Sequence, residues 1–420
     1  MNRVVITGVG IVAPNAIGVA DFQLALQKQV NGITFQPSLK ALNFSCQVAG
    51  QPKISQQHLD DNFSTLEQRG LKANGLIYGV IAGLEAWKNA GLKLDKDAYL
   101  EHAGIIFGTG ILGVDKLKEA FDLIESKNVR RLGSTSVVQT MASGISAYLG
   151  GKLGCGNQVT TNSSACTTGT ESLLMAYQRI KNGEAKQILA GSCSDASPYV
   201  WGGFDALRIL PNQYNNQPEK ASRPMSKTVS GFVPSSGAGA FVVESLSSAQ
   251  QRNAPILAEI LGGTINSGGQ RNGGSMTAPN SKAVVSCIQK AMQKAQIQPH
   301  QIDCINGHLT ATNMDVQEVT NWYKALERPV DFPKINSLKS LLGHGLAAAG
   351  SMELVASILQ LKEQFVFGNS NCEDLHPQIK ELIGEKAVPI QTIHYPINHL
   401  IKASFGFGDV NACVVLKSFK

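Results

Sequence analysis

Apolar residues along the chain alternate between short continuous runs and stretches of helical period. Val4-Val5-Ile6-Thr7 opens a strand that continues to Ala13. Leu76, Val80, Leu84 and Trp87 recur at helical spacing within 68–91 and predict a core helix. A strand over His102–Phe107, a helix over Val114–Glu125 and a buried helix over Ser136–Tyr148 follow. The β-branched run Val159-Thr160-Thr161 then enters small polar residues. Beyond them Leu173, Leu174, Tyr177 and Ile180 form one apolar stripe, closed by Gly183, and Gln187–Gly191 reads as the next buried strand. The second half repeats this grammar. Strands are predicted at Ile256–Leu261, Ile302–Ile305 and around Lys334-Ile335-Asn336, helices at Ser281–Ala295 and Ala347–Leu361, and a tight turn at Ser404–Asp409 between two last strands. Such alternation predicts an α/β protein. The stretch from Lys334 echoes that around Cys166: strand, small glycine-bearing turn, helix. Two structurally repeated halves are therefore expected, 1–255 and 256–420, with the polar run Gln250–Pro255 as the seam.

Composition narrows the function classes. The net charge of +6 comes without any run of five like charges, which argues against nucleic acid as a partner and suits an acidic protein or a phosphorylated ligand. The eight cysteines form no CxxC pair and no zinc-type spacing. No apolar run approaches a membrane span, and Met1-Asn2-Arg3 leads directly into a strand. The expectation is a soluble cytoplasmic protein with reduced thiols and no membrane association.

Two glycine patterns invite a dinucleotide reading. Gly8-Val9-Gly10-Ile11-Val12-Ala13 is followed at once by Pro14-Asn15, where a phosphate-binding helix should have begun. Gly108-Thr109-Gly110-Ile111-Leu112-Gly113 is a literal GxGxxG, but no second strand ending in an acidic residue follows. Nicotinamide chemistry is the weaker reading. Cys166 carries the stronger one, because it sits at a strand-to-helix turn. Unpaired N–H groups and the helix dipole there favour a thiolate and predict a lowered thiol pKa. His308 and His344 each follow a strand, where α/β proteins place ligands. Lys339, among small and apolar residues, calls for a buried counter-ion, and Glu318 is the leading candidate.

Taken together, Ser164-Ala165-Cys166-Thr167-Thr168-Gly169, His308 with Thr310 and Thr312, Lys339-Ser340-Leu341-Leu342-Gly343-His344 and Gly406-Phe407-Gly408 resemble the elongating β-ketoacyl-acyl-carrier-protein synthases nearly end to end. The resemblance implies a thiolase fold of five alternating layers, normally dimeric. It implies decarboxylative Claisen condensation of a Cys166-bound acyl chain with malonyl-acyl-carrier-protein, assisted by His308 and His344. Substrates ride on the 4′-phosphopantetheine of acyl carrier protein, with no other cofactor and no metal. By the same resemblance the amides of Cys166 and Phe407 form the oxyanion hole. Lys339 and Glu318 are the buried charged pair, and Thr310 and Thr312 touch the pantetheine arm. Phe407 and Gly408 belong to a gate faced by Phe204, Ile111 is the pocket floor, and Thr277 lies on an entrance loop.

Four departures stand out. Leu309 replaces a glycine and should add bulk beside the tunnel. The segment from His308 to Glu318 is one residue short. Asp409 replaces a gate glycine, and Ser235-Ser236 a glycine–acid pair. These departures point to a specialised polyketide- or polyene-type enzyme. The alternative is a non-catalytic subunit of the chain-length-factor type, pairing with a ketosynthase as a heterodimer rather than forming a homodimer; such subunits lack the nucleophile that Cys166 supplies. Thiolases and the Cys–His–Asn initiating class fit less well, given His344 and the strand setting of Cys413.

Overall fold

The computed structural model describes residues 2–419. Its first sheet contains β1 (Val4–Ala13), β2 (Ala103–Thr109), β3 (Val159–Thr160), β4 (Gln187–Ser194) and β5 (Gly237–Ser245). They lie in the order β1-β5-β4-β2-β3, the first two pairings antiparallel and the last two parallel. The second sheet contains β6 (Ala258–Ser267), β7 (Cys304–Asn306), β8 (Lys334–Asn336), β9 (His399–Gly406) and β10 (Val410–Ser418). Its order, β6-β10-β9-β7-β8, again has two antiparallel and then two parallel pairings. Counted within each half, both sheets read first, fifth, fourth, second, third. The repeat invisible in residue identities is explicit in topology. The sheets join where Val4–Ile6 pairs antiparallel with Ala258–Ile260.

Helices α1 (Asn74–Asn89) and α2 (Gly144–Leu153) cover the outer face of the first sheet. Helices α3 (Thr168–Lys181) and α6 (Ala349–Glu363) lie between the sheets, while α4 (Ser281–Ala295) and α5 (Asp315–Leu326) form the outer layer of the second half. The result is the five-layered αβαβα thiolase fold. Residues of α6 are buried over nearly the whole helix, as a central layer requires. The expected helix over Ser136–Tyr148 is interrupted: Ser136–Thr140 ends at Met141 in extended backbone, and α2 restarts at Gly144. A Cβ at Gly144 would meet the Val138 carbonyl oxygen at 1.9 Å, so the chain folds back there too tightly for one continuous helix.

Both glycine decoys have structural explanations. Gly8 and Gly10 lie within β1, where a Cβ would come 2.2 and 2.0 Å from the Ala86 and Ala82 carbonyl oxygens of α1. They let helix and sheet approach. After the later GxGxxG, the helix Val114–Glu125 receives a carboxylate from its own chain, since Asp195 accepts from the Val114 N–H at 3.0 Å. The position a phosphate would take is filled.

The two central helices meet at their N-termini. A Cβ on Gly169 would lie 2.3 Å from the Ser351 nitrogen, and one on Gly350 2.8 Å from the Thr170 nitrogen. Ser192 Oγ joins the Ser351 hydroxyl at 2.7 Å and donates to the Ala347 carbonyl at 2.8 Å. This close crossing brings the loops that precede α3 and α6 together.

Candidate active site

Between β3 and α3 the chain turns through Asn162–Thr167, with Ala165 in the left-handed region at φ 49°. The small polar side chains hold this turn. Thr167 Oγ1 donates to the Ser164 carbonyl and Thr168 Oγ1 to the Ala165 carbonyl, both at 2.7 Å, while Thr168 Oγ1 also accepts from the Ser164 N–H at 2.9 Å. Cys166 is thereby presented just before the first turn of α3. Burial dominates its acidity and pushes the thiol up to about 11. The Lys339 ammonium and the N–H groups of Phe407 and Cys166 itself pull the other way. The lowered pKa expected from the helix N-terminus is thus overturned by desolvation in the free protein. The same two N–H groups converge on the sulfur.

His308 follows β7, on a loop that two buried carboxylates of α5 hold. The N–H groups of His308 and Leu309 each donate to Glu318 at 2.7 Å; those of Thr310 and Ala311 donate to Asp315 at 2.9 and 3.1 Å. Burial pushes Glu318 up to about 7 and Asp315 up to about 6. His344 follows β8 and a short helix, Lys339–Leu342, ended by Gly343 at φ 75°. Its Nδ1 accepts from the Leu346 N–H at 3.1 Å, so the neutral ring carries its proton on Nε2. Burial, and then the positive charge of Lys339, hold both imidazoles well below the usual histidine range, so both are neutral donors. The rings stand nearly perpendicular, with centroids 5.2 Å apart. The Cys166 sulfur and one nitrogen from each histidine lie within 4.8 Å of one another. That donor set could hold a thiophilic cation, but the Lys339 ammonium stands 3.5 Å from His308 Nδ1 and opposes one.

The charged pair is not the one expected. Lys339 pairs with Glu353 of α6 and donates to the His308 carbonyl at 2.6 Å. Glu318 does not pair with it, because its oxygens already accept the two loop amides and Trp322 Nε1 at 3.3 Å. The other oxygen of Glu353 lies 2.6 Å from Lys402 Nζ on β9. Sequence reasoning missed both Glu353 and Lys402. The available signal was a lone charge in each of two apolar runs, Met352-Glu353-Leu354 and Ile401-Lys402-Ala403, since such charges must be paired if buried.

A cavity of about 290 Å³ opens onto Cys166, His308 and His344 and is also lined by Phe204, Thr277, Thr310, Thr312 and Phe407. Thr310 and Thr312 share a hydroxyl–hydroxyl hydrogen bond of 3.0 Å. Phe204 and Phe407 meet edge-on with centroids 6.0 Å apart. Two expected residues lie elsewhere. Ile111 is 51% exposed on the bend after β2 and does not line this cavity. Gly408, also outside the lining, donates to the Met276 carbonyl at 2.8 Å and ties the gate turn to the Thr277 loop. Leu309 adds no bulk to the tunnel: its side chain is fully buried in the core between the second sheet and the outer helices. Asp409, at φ 61°, accepts from the N–H groups of Gln270 and Asn280 at 2.9 and 2.8 Å. Its carboxylate occupies space left by Gly268 and Gly274, where a Cβ would come 2.1 and 2.4 Å from Oδ2.

Comparison with known proteins gives one family. A profile described as beta-ketoacyl synthase, N-terminal domain, matches residues 1–249, and one described as beta-ketoacyl synthase, C-terminal domain, matches residues 257–373. The chain is 33% identical over 432 residues to chloroplastic 3-oxoacyl-[acyl-carrier-protein] synthase I of Arabidopsis thaliana, covering 100% of this chain and 87% of that one. It is 30% identical over 433 residues to 3-oxoacyl-[acyl-carrier-protein] synthase 1 of Escherichia coli K12, covering both completely. Among solved structures, a β-ketoacyl synthase from Burkholderia phymatum STM815 superposes with TM-score 0.90 at 25% identity, over all of both chains. A chain of the AntDE:AntF complex, a type II PKS acyl-carrier protein with its ketosynthase bound to the hexaketide, superposes with TM-score 0.87 at 28% identity, again over all of both.

Proposed function

The chain belongs to the β-ketoacyl synthase family, and from that premise we propose that it condenses a Cys166-bound acyl chain with malonyl-acyl-carrier-protein to give β-ketoacyl-acyl-carrier-protein. The observation that carries the reading is the convergence of one thiol, two neutral imidazoles and two backbone N–H groups at one end of a cavity. The Cys166 sulfur attacks the acyl thioester carbonyl, and the phosphopantetheine thiol leaves with the proton that Cys166 gives up. Malonyl thioester then enters past Phe407, its arm along Thr310 and Thr312. Its carboxylate leaves as carbon dioxide, and the electron pair of the broken C–C bond becomes an enolate. The His344 Nε2–H, together with His308, donates to the enolate oxygen. The enolate carbon attacks the Cys166 thioester, whose oxygen takes negative charge against the Cys166 and Phe407 amides. Collapse releases the Cys166 thiolate, which recovers a proton, and the lengthened β-ketoacyl chain leaves on its carrier. Decarboxylation supplies the carbanion, so no strong base is needed.

Acyl carrier protein and a second subunit are the partners of this reading. The relatives named for acyl-carrier-protein substrates and the carrier-bound ketosynthase of known structure support it. Among the described residues no helix is long and apolar enough to cross a membrane. Retention of Cys166 favours the catalytic subunit over a chain-length-factor-like one. The specialised-pathway reading keeps its support in Asp409 and Ser235-Ser236 and loses the part that rested on Leu309. The deciding experiment is intact mass after mixing with acyl-loaded carrier protein. Wild type gains one acyl group and Cys166→Ala none. Absence of an adduct with every primer would overturn catalysis and favour the partner subunit.

A further inference from the structure

Lys402 lies in the middle of β9 with no solvent exposure, in the run Leu400-Ile401-Lys402-Ala403. Besides Glu353, its ammonium donates to the Ala403 carbonyl and, at 3.0 Å, to Ser404 Oγ. That hydroxyl meets Thr170 Oγ1 of α3 at 2.9 Å. Glu353 therefore divides its carboxylate, with Oε1 on Lys339 and Oε2 on Lys402. All three side chains are buried, two positive and one negative. Glu318 faces the cluster from α5 but spends its two oxygens on the His308 and Leu309 amides and pairs with neither lysine, and the Cys413 thiol on β10 is held protonated by burial. An uncancelled buried charge is costly, and stability alone would favour a single pair.

We propose that Lys402 is a positioning residue acting through Glu353: by taking Oε2 it leaves Lys339 only partly neutralised, so that a net positive charge stands behind Cys166, His308 and His344. The charge lies where the reaction forms anions — the Cys166 thiolate, the malonyl carboxylate and the enolate oxygen. Their identity rests on the condensation reading above. With Lys402 absent, the Glu353–Lys339 pair closes on itself and the field at the thiol and imidazoles collapses.

The test compares Lys402→Met, Lys402→Arg and the double variant Glu353→Gln/Lys402→Met with wild type, each checked for fold by circular dichroism. The first readout is the rate of Cys166 alkylation by iodoacetamide against pH. It needs no knowledge of the substrate. Lys402→Met should alkylate about tenfold more slowly at pH 8, its profile shifted up by about one pH unit. The double variant removes one charge of each sign and leaves Lys339 to supply the net positive charge, so it should recover most of that rate. Lys402→Arg should lie closer to wild type than Lys402→Met. The second readout is carbon dioxide release from malonyl-acyl-carrier-protein, where kcat should fall in the same order. A folded Lys402→Met with an unshifted profile, or a double variant no faster than Lys402→Met, overturns the proposal. If Lys402→Met fails to fold, the double variant against wild type still decides: a profile shifted up by a unit overturns it. A wild type that shows the expected alkylation series but releases no carbon dioxide would instead sink the condensation reading while the electrostatic role stands.

Discussion

Replacing Glu318 by Gln tests what that carboxylate does. Its two oxygens accept the N–H groups of His308 and Leu309 at 2.7 Å each, and among the described residues no lysine pairs with it. Gln keeps one acceptor but turns an NH₂ toward the other N–H, so one charge-assisted bond is lost and a buried donor is left unmatched. The cost is about 3 kcal/mol. For 420 residues the unfolding entropy is about 0.9 kcal/mol per kelvin, so the melting temperature should fall by about 3 °C. The pH dependence has a definite sign. Burial raises the folded carboxyl from 4.5 to about 7, so the fold prefers the protonated form. That contribution is fully present below about 4.5 and is lost as pH rises through 7, amounting to roughly 3 kcal/mol. The stability gap between wild type and Gln should therefore widen on acidification from pH 8 to pH 5 in parallel thermal melts. Malonyl decarboxylation should drop about 100-fold as the His308 loop shifts, whereas Cys166 alkylation at pH 8 stays within about twofold. Accelerated alkylation with an unchanged melting temperature would refute this account, because it is the signature of a lost counter-ion to Lys339.

Other substitutions test the remaining geometry. His344→Ala should leave the acyl adduct on Cys166 intact in mass spectra but lower condensation about 100- to 1,000-fold, for loss of one oxyanion donor; normal condensation would exclude His344 from the enolate step. Leu309→Ala should cost about 3 kcal/mol in denaturant unfolding with KM for malonyl-acyl-carrier-protein unchanged, since the side chain fills core rather than tunnel. A lower KM would put it back in the tunnel. Asp409→Gly keeps the left-handed backbone but removes the acceptor for the Gln270 and Asn280 amides. Hydrogen exchange across 268–280 should then accelerate about tenfold, and unchanged protection would show that the carboxylate does not hold the loop.

Most of the layered fold was legible because its elements have one clear period each. The predicted helices Val114–Glu125 and Ser281–Ala295 match the observed bounds, and the β-branched and glycine-edged runs mark the strands. What failed had a tertiary cause. The break before Gly144 depends on how closely Val138 returns to the chain, and no local pattern encodes that distance. Cys166, His308 and His344 were singled out by their strand-to-turn positions, and the structure brings the three together. The pairing of Lys339 was not legible, because an acid lies to either side of it in the chain, Glu318 on α5 and Glu353 on α6, and only the packing of α6 between the sheets decides for Glu353. The predicted direction for the Cys166 thiol failed for a related reason. Helix-terminal position is a local property, whereas desolvation is set by the whole cavity wall.

The internal repeat explains why these groups converge. Cys166 and His344 both follow the third strand of their half and precede its central helix, so they occupy equivalent places in two copies of one topology. Packing the copies with α3 and α6 in a shared layer forces those places together, provided both helices can start in contact. Gly169 and Gly350 meet that condition, since a Cβ on either would strike backbone of the other helix. The same geometry concentrates the N-terminal ends of two helices, and with them positive potential, on one small volume. Lys339 immediately precedes the second of these places and Lys402 lies on the strand that leads into the gate turn. The charged cluster therefore extends an electrostatic bias that the duplicated backbone already creates, and the two imidazoles remain neutral within it.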